Sequence, residues 1–321
     1  MASNESRSDN SNHDVPLAVA AAVGETTGIV ENHQDEHQES YAVLGVDEPS
    51  SVATTSPVLD PSLFHLSPNE KELALEIRET IQGLPDVDNV SDFMAAHLAI
   101  ACKGDMTWAM DRVYKMRDIR KEYKIALTYP EGAKTIQDMF ALAPDLLLSY
   151  QYNLHTGDVV LVMDMTSQYA KEAFSNPKSM NIVGRGVHYL CHAMFPCFEA
   201  VRVGNVHILE CEGFDWGKGM VDVAQFGKLT NISHGAFPSV LRTKFFNTPT
   251  VLNVLVSMCK RYIPKEISSQ FELGCTFVGG RLDKFYRVPN REVALKRAVD
   301  MLCESLQIRM ESEKVFSLDD D

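Results

Sequence analysis

The sequence predicts an α/β protein with a small, mostly parallel sheet, a helical N-terminal lobe and a disordered acidic tail before it. Three observations lead to this class. Short apolar segments rich in β-branched residues recur at wide spacing with helix-like segments between them, as in βαβ crossovers. Residues 67–128 contain helix start signals and apolar residues at helical spacing. The acidic residues are concentrated at the N-terminus.

Residues 1–66 form the predicted disordered tail. They contain 11 Asp or Glu and one Arg, so they carry −10 of the formal charge of −14 of the chain. The tail is rich in Ser, Gln and Asn and poor in aromatic residues, so it cannot bury enough apolar surface to offset the entropy of ordering. An exposed acidic tail of this kind could recruit a protein partner.

Residues 67–128 are predicted to form the helical lobe. Ser67, Pro68 and Glu70 make an N-cap, a first-turn proline and a capping box for a helix that runs to about Gln82. Ser91-Asp92 starts a second helix, and Gly104-Asp105 starts a third that runs to about Tyr123. In the third helix apolar residues recur at helical spacing with Arg and Lys opposite. They are Ala109, Met110, Val113, Met116 and Tyr123.

Residues 129–289 are predicted to form the sheet domain, and residues 290–321 a C-terminal helix with an acidic end. Four segments have strand character, and the long spacing between them favours a largely parallel sheet. They are 159–163, 206–211, 240–246 and about 271–278. Helices are expected around Val183–Met194 and over Val251–Tyr262, and Asn290 caps a final helix that runs to about Leu306.

Composition excludes several classes of protein. No apolar run approaches the ~20 residues that a membrane span requires, and the apolar stretch Val15–Val23 follows acidic residues, unlike a secretory signal. The seven cysteines form no CxxC pair, which favours reduced thiols in a cytoplasmic protein. A pI of 5.2 supplies no basic surplus for a nucleic-acid partner.

The sequence predicts no cofactor, metal site or catalytic residue. His188 and His192 lie four residues apart on a predicted helix, but Tyr189 occupies the place where a zinc protease needs its glutamate. Glu210 and Glu212 could act as an acid–base pair. Strand alternation directs them away from the face that holds Leu209 and Cys211, so a structural role is the preferred interpretation.

The segment 251–262 is apolar around nearly its whole circumference and ends in basic residues. Such a helix is usually buried. Alternatively, it could cover a lipid pocket on one side and touch a bilayer on the other, where Lys260, Arg261 and Lys265 would meet anionic head groups.

This stretch resembles the gate-helix region of the CRAL-TRIO lipid-transfer family, and further motifs extend the resemblance over about residues 67–285. Gly157–Met163 is similar to the first strand of the family. Val206–Phe214 is similar to its φφDxxG strand, with Glu210 in place of the usual aspartate. Phe237-Pro238 resembles the FP turn, and Asn247-Thr248-Pro249 the N-x-P motif.

The resemblance implies an α/β sandwich with an internal apolar cavity that holds one lipid, closed by a gate helix that swings at a membrane. The lipid would be a phospholipid, a phosphoinositide or an isoprenoid-type molecule, carried without catalysis by a cytoplasmic protein. An interaction module that keeps the fold but fills the pocket is the alternative. The implied lining residues are Leu161, Met163, His207, Leu209 and Cys211 on the strands and Val251, Leu252, Leu255, Met258 and Cys259 on the gate.

Overall fold

The computed structural model describes residues 60–82, 90–212, 228–229, 232–233, 241–248, 271–275 and 290–319. Residues 55–321 form one compact unit of the predicted α/β class. Most of the predicted tail and the whole predicted helix 251–262 lie outside the described residues. Among the described helices, none is both long enough and apolar enough to cross a membrane.

The helical lobe contains a short 3-10 turn, Pro61–Phe64, and three helices: α1 (Pro68–Gln82), α2 (Asp92–Cys102) and α3 (Met106–Tyr123). The predicted capping box is formed, because Ser67 Oγ accepts from Glu70 N at 3.3 Å and Glu70 Oε2 accepts from Ser67 N at 2.8 Å. Ser91 and Asp105 cap the next two helices, because the side-chain oxygen of each accepts from the amide three residues later. The three predicted helix starts are confirmed.

Helix α3 departs from its predicted pattern at one basic residue. Arg112 is only 4% exposed, although arginines were expected on the solvent side. Its guanidinium lies 5.3 Å from the centre of the Trp108 ring, and a stacked arginine of this kind can place its long stem inside the protein.

The sheet has five strands in the order β1 (Leu147–Tyr152), β2 (Val159–Asp164), β3 (Asn205–Glu210), β4 (Leu241–Phe246) and β5 (Phe271–Cys275). Strands β2 to β5 are parallel, as predicted. Strand β1 was not predicted, and it pairs antiparallel to β2. The hairpin between them turns at Asn153, whose Oδ1 accepts from the amides of His155 and Thr156, and Gly157 adopts a φ of 72°.

Among the described residues, five further helices accompany the sheet: α4 (Tyr129–Leu142), α5 (Gln168–Ser175), α6 (Pro177–Ala193), α7 (Phe198–Val203) and α8 (Arg291–Val315). Helix α6 contains the predicted helix between β2 and β3. Helix α8 starts at the predicted cap, Asn290, but continues past Leu306. The extension is stabilised by packing, because Ile308 and Met310 are buried and Phe316 contacts the rings of Phe93 and Phe198.

One hydrophobic core joins the lobe to the sheet. It extends from Ala74 in α1 through α2, α4 and α6 to Leu161 in β2 and Leu302 in α8. Tyr150 of β1 anchors this core to α6 and α8, because its hydroxyl lies 3.0 Å from both the carbonyl oxygen of Ala193 and Ser305 Oγ. The lobe is therefore packed together with the helices that cover the sheet.

Candidate functional site

The strand register places the predicted lining residues of β2 and β3 on one face of the sheet. Leu161 lies beside His207, and Met163 beside Leu209, on adjacent parallel strands. Because strand residues alternate between the two sides of a sheet, these residues share one face. We call it the helix face, and it also includes Thr243 and Phe245 of β4.

The helix face is filled by side chains of the helical layer. Leu161 has 0% exposure and belongs to the same core as α4, α6 and α8. His207 Nε2 lies 2.9 Å from the sulfur of Met194, at the end of α6. Cys211, just after β3, is also fully buried.

The strand residues that the resemblance implies as cavity lining have little exposed surface. Leu161, His207, Leu209 and Cys211 are buried, and Met163 packs against the same core. Among these five residues only Met163 is half-buried, and their role as lipid lining stays a prediction. The physical reason for their burial is that the crossover helix α6 packs on this side.

The opposite side of the sheet, which we call the outer face, has a different environment. Leu148, Val162 and Phe246 form a small apolar cluster, and Val160 and Ile208 pack against it. Among the described residues, every apolar member of this cluster comes from a strand. The half-buried aliphatic residues on the outer face are Val160, Val206 and Ile208.

A charged pair lies on the outer face beside the apolar cluster. Lys244 Nζ is 3.3 Å from Glu272 Oε2, and the two side chains are 17% and 49% exposed. Lys244 pairs with Ile208 on one side and with Glu272 on the other. Along the row that contains Ile208, the outer face therefore changes from aliphatic on β2 and β3 to charged on β4 and β5.

The C-terminal ends of β3 and β4 are joined through Glu210. Its carboxylate is almost fully buried, and Oε1 accepts from the amides of Cys211 and Glu212 at 2.9 and 2.8 Å. The side-chain amide of Asn247 donates to both carboxylate oxygens. These contacts fit the structural role that strand alternation predicts for Glu210, whereas Glu212 is exposed.

A second buried carboxylate at this edge, Asp164, was not singled out from the sequence. Its Oδ1 accepts from the amide and the hydroxyl of Thr166 at 2.8 and 2.6 Å. The amide of Met165 donates to the carbonyl oxygen of Glu210 at 2.9 Å. An aspartate followed by Thr at the end of an apolar strand is the local signal that could have indicated this turn.

The two histidines of α6 lie side by side in the core. Their ring centres are 5.0 Å apart in an edge-to-face arrangement. Burial lowers the pKa of His188 and His192 well below the ordinary imidazole value, so both are neutral near pH 7. Among the described residues, no group of His, Cys, Asp and Glu has the geometry to hold a metal ion.

A separate groove of about 800 Å³ lies between the 3-10 turn and the end of α8. Phe64, Leu66, Val315 and Phe316 are among the residues that line it. No strand residue contributes to its lining, so this groove is distinct from the outer face.

The remaining predicted site residues lie outside the described part of the chain. They are Val251, Leu252, Leu255, Met258, Cys259, Lys260, Arg261 and Lys265. The FP turn at Phe237-Pro238 is outside it as well, whereas Asn247 of the N-x-P motif lies inside it, directly after β4.

A scan against protein-family models finds no match to this chain, and a search of curated proteins finds no match either. The resemblance to the CRAL-TRIO family therefore depends on the order of the motifs along the sequence.

Proposed function

We propose that this chain binds one lipid against the outer face of its sheet and carries it to, or presents it at, a membrane without catalysis. The observation that carries the proposal is the set of half-buried aliphatic side chains Val160, Val206 and Ile208. They lie on the face where the described apolar contacts come from strands alone. The motif order that resembles the CRAL-TRIO family gives the same ligand class.

Hydrophobic burial supplies the driving force for such binding. Each 100 Å² of lipid surface removed from water contributes about 2.5 kcal/mol, at ~25 cal/mol per Å². This gain must exceed the cost of association and of ordering the chain. A lipid whose tail covers Val160, Val206 and Ile208 would bury its apolar surface against aliphatic side chains.

Delivery would use the segment that resembles the gate helix. In this proposal residues 251–262 cover the lipid, and Lys260, Arg261 and Lys265 contact anionic head groups, at roughly 1 kcal/mol for each basic residue. The protein would then be cytoplasmic and only transiently associated with membranes. Phospholipids, phosphoinositides and isoprenoid-type lipids are the candidate ligands.

The experiment is native mass spectrometry of the full chain purified from cells, followed by lipid extraction and identification. We expect one lipid per chain, and we expect Ile208→Trp to remove it, because the larger ring occupies the space beside Val160. The matched control is Val293→Trp, at a position on α8 that is 59% exposed, and it should retain the lipid. A chain that is always empty, with Ile208→Trp identical to wild type in vesicle extraction assays, would overturn the proposal.

A protein-interaction module is the second candidate, and the filled helix face favours it. The strand residues implied as cavity lining, Leu161 and His207 among them, contact core side chains instead. In that case the acidic residues 1–66 would recruit the partner. Deleting residues 1–59, which leaves the 3-10 turn and its contacts with the core in place, would then abolish partner binding, while lipid would be absent from both the full and the shortened chain.

A further inference from the structure

One row of residues crosses the outer face from strand to strand. Val162 of β2 is in register with Ile208 of β3, Ile208 with Lys244 of β4, and Lys244 with Glu272 of β5. Residues in register lie next to each other on the same face. The row therefore passes from two aliphatic side chains to an ammonium and then to a carboxylate.

The two members of the charged pair differ in their access to water. Lys244 is 17% exposed and stands beside Ile208, whereas Glu272 is 49% exposed. A largely buried ammonium needs a counter-charge because its desolvation is unfavourable. The carboxylate of Glu272 is already half in water, so moving it away from Lys244 costs less than leaving the ammonium without a counter-charge. Glu272 is thus the member of the pair that another anion can replace.

We infer that Lys244 binds an anionic head group of the lipid, and that Glu272 is the counterion which this head group displaces. The inference depends on the proposed function, because it places the lipid tail over Ile208, the half-buried residue in register with Lys244. It narrows the ligand to an amphiphile with a carboxylate or phosphate head. An uncharged head group would gain no ion pair from Lys244 and would leave Glu272 in place.

The test compares two fluorescent probes, cis-parinaric acid and its methyl ester, which differ only in the charge of the head. We expect the full-length wild-type chain to bind the acid about 10-fold more tightly than the ester, the scale of a partly desolvated charge-assisted contact. Lys244→Met should reduce this ratio to about 1 without weakening ester binding. Lys244→Arg should retain the preference, because it keeps the positive charge.

Two further variants separate a head-group contact from a general change of charge. Glu272→Gln removes the competing carboxylate, so it should strengthen acid binding and leave ester binding unchanged. Lys296→Met removes an exposed lysine that is also ion-paired, with Asp300, and it should change neither affinity. If Lys244→Met does not fold, the Glu272→Gln result decides, and unchanged acid binding overturns the inference.

The outcomes distinguish this inference from the proposed function. Equal binding of acid and ester by the wild-type chain overturns the role of Lys244 and leaves lipid binding intact. No binding of either probe, together with an empty protein in native mass spectrometry, overturns both. Competition between the bound acid and lysophosphatidic acid shows whether Lys244 prefers a carboxylate or a phosphate.

Discussion

The side-chain amide of Asn247 donates to both carboxylate oxygens of Glu210, at 3.1 and 3.0 Å. Asn247 has a φ of 51°, a left-handed conformation that asparagine tolerates better than most residues. One residue thus ends β4, turns the chain and satisfies a buried carboxylate. This double role explains why an asparagine stands at the first position of the N-x-P motif in this chain.

The first prediction separates the turn conformation of Asn247 from its hydrogen bonds to Glu210. Asn247→Gly keeps the turn but removes both donors, so we expect the free energy of unfolding to fall by about 1–3 kcal/mol. Asn247→Ala should cost about 1 kcal/mol more, because alanine disfavours a positive φ. Urea unfolding at neutral pH measures both variants. A glycine variant as stable as wild type would show that the contact with Glu210 contributes nothing.

The second prediction concerns pH. The pKa values of His188 and His192 are lowered in the folded state by burial, whereas in the unfolded chain they are near 6.5. Below pH 6.5 the unfolded chain therefore binds more protons, and stability is lost as the pH falls. With both histidines contributing, the loss approaches about 2.7 kcal/mol per pH unit once the unfolded histidines are mostly protonated.

Urea unfolding at several pH values between 7 and 5 measures this slope. His188→Leu and His192→Leu should each remove about half of it, because each removes one group that must be neutral in the core. As a control, His155→Leu changes an exposed histidine in the β1–β2 turn and should leave the slope intact. Stability that does not change with pH across this range would contradict the prediction.

The third prediction concerns the C-terminal end of the described chain. Asp92 Oδ2 accepts from the amide of Leu318 at 2.9 Å and from Arg78 at 3.2 Å, and Arg78 also binds Asp319. Arg78 lowers the pKa of Asp319 through these contacts. Asp92→Asn weakens this junction, so we expect carboxypeptidase to trim residues 316–321 about 5-fold faster through local opening.

Asp300→Asn is the matched control, because it neutralises an exposed aspartate on α8 whose ion pair with Lys296 is local. Its trimming rate should equal that of wild type. If Asp92→Asn is trimmed no faster than this control, the packing of Phe316 against Phe93 and Phe198 holds the C-terminal end without help from Asp92.

Sequence signals located the helix starts because a cap is a local structure. The capping contacts between Ser67 and Glu70 involve only their own side chains and backbone amides, so four consecutive residues contain the whole capping box. The end of α8 could not be located in this way. It depends on the contacts of Phe316 with Phe93 and Phe198, which are distant in the sequence.

The face of the sheet that holds the candidate site could not be read from the sequence either. Strand β2 is apolar at Leu161 and also at Val160 and Val162, since central parallel strands are buried on both sides and show no alternation. Lys244 lies in the middle of strand β4, whose sequence is LRTKFF. Its interpretation needed the register with Glu272, and the sequence alone does not determine that register.

The last prediction concerns membrane docking. If Lys260 and Arg261 contact anionic head groups, Lys260→Glu with Arg261→Glu replaces two attractions of roughly 1 kcal/mol with repulsions. Binding to vesicles that contain phosphatidylserine should then fall by about 30-fold or more, as measured by sedimentation at low salt. Neutral vesicles should show a much smaller change.

The chain offers a control with the same change of charge. Lys296 and Arg297 are adjacent and exposed on α8, so reversing both alters the net charge of the protein equally. If docking is local to the gate segment, this control binds anionic vesicles nearly as well as wild type. If both double variants lose the same affinity, the attraction is a property of the overall charge, and the basic end of residues 251–262 has no special role in docking.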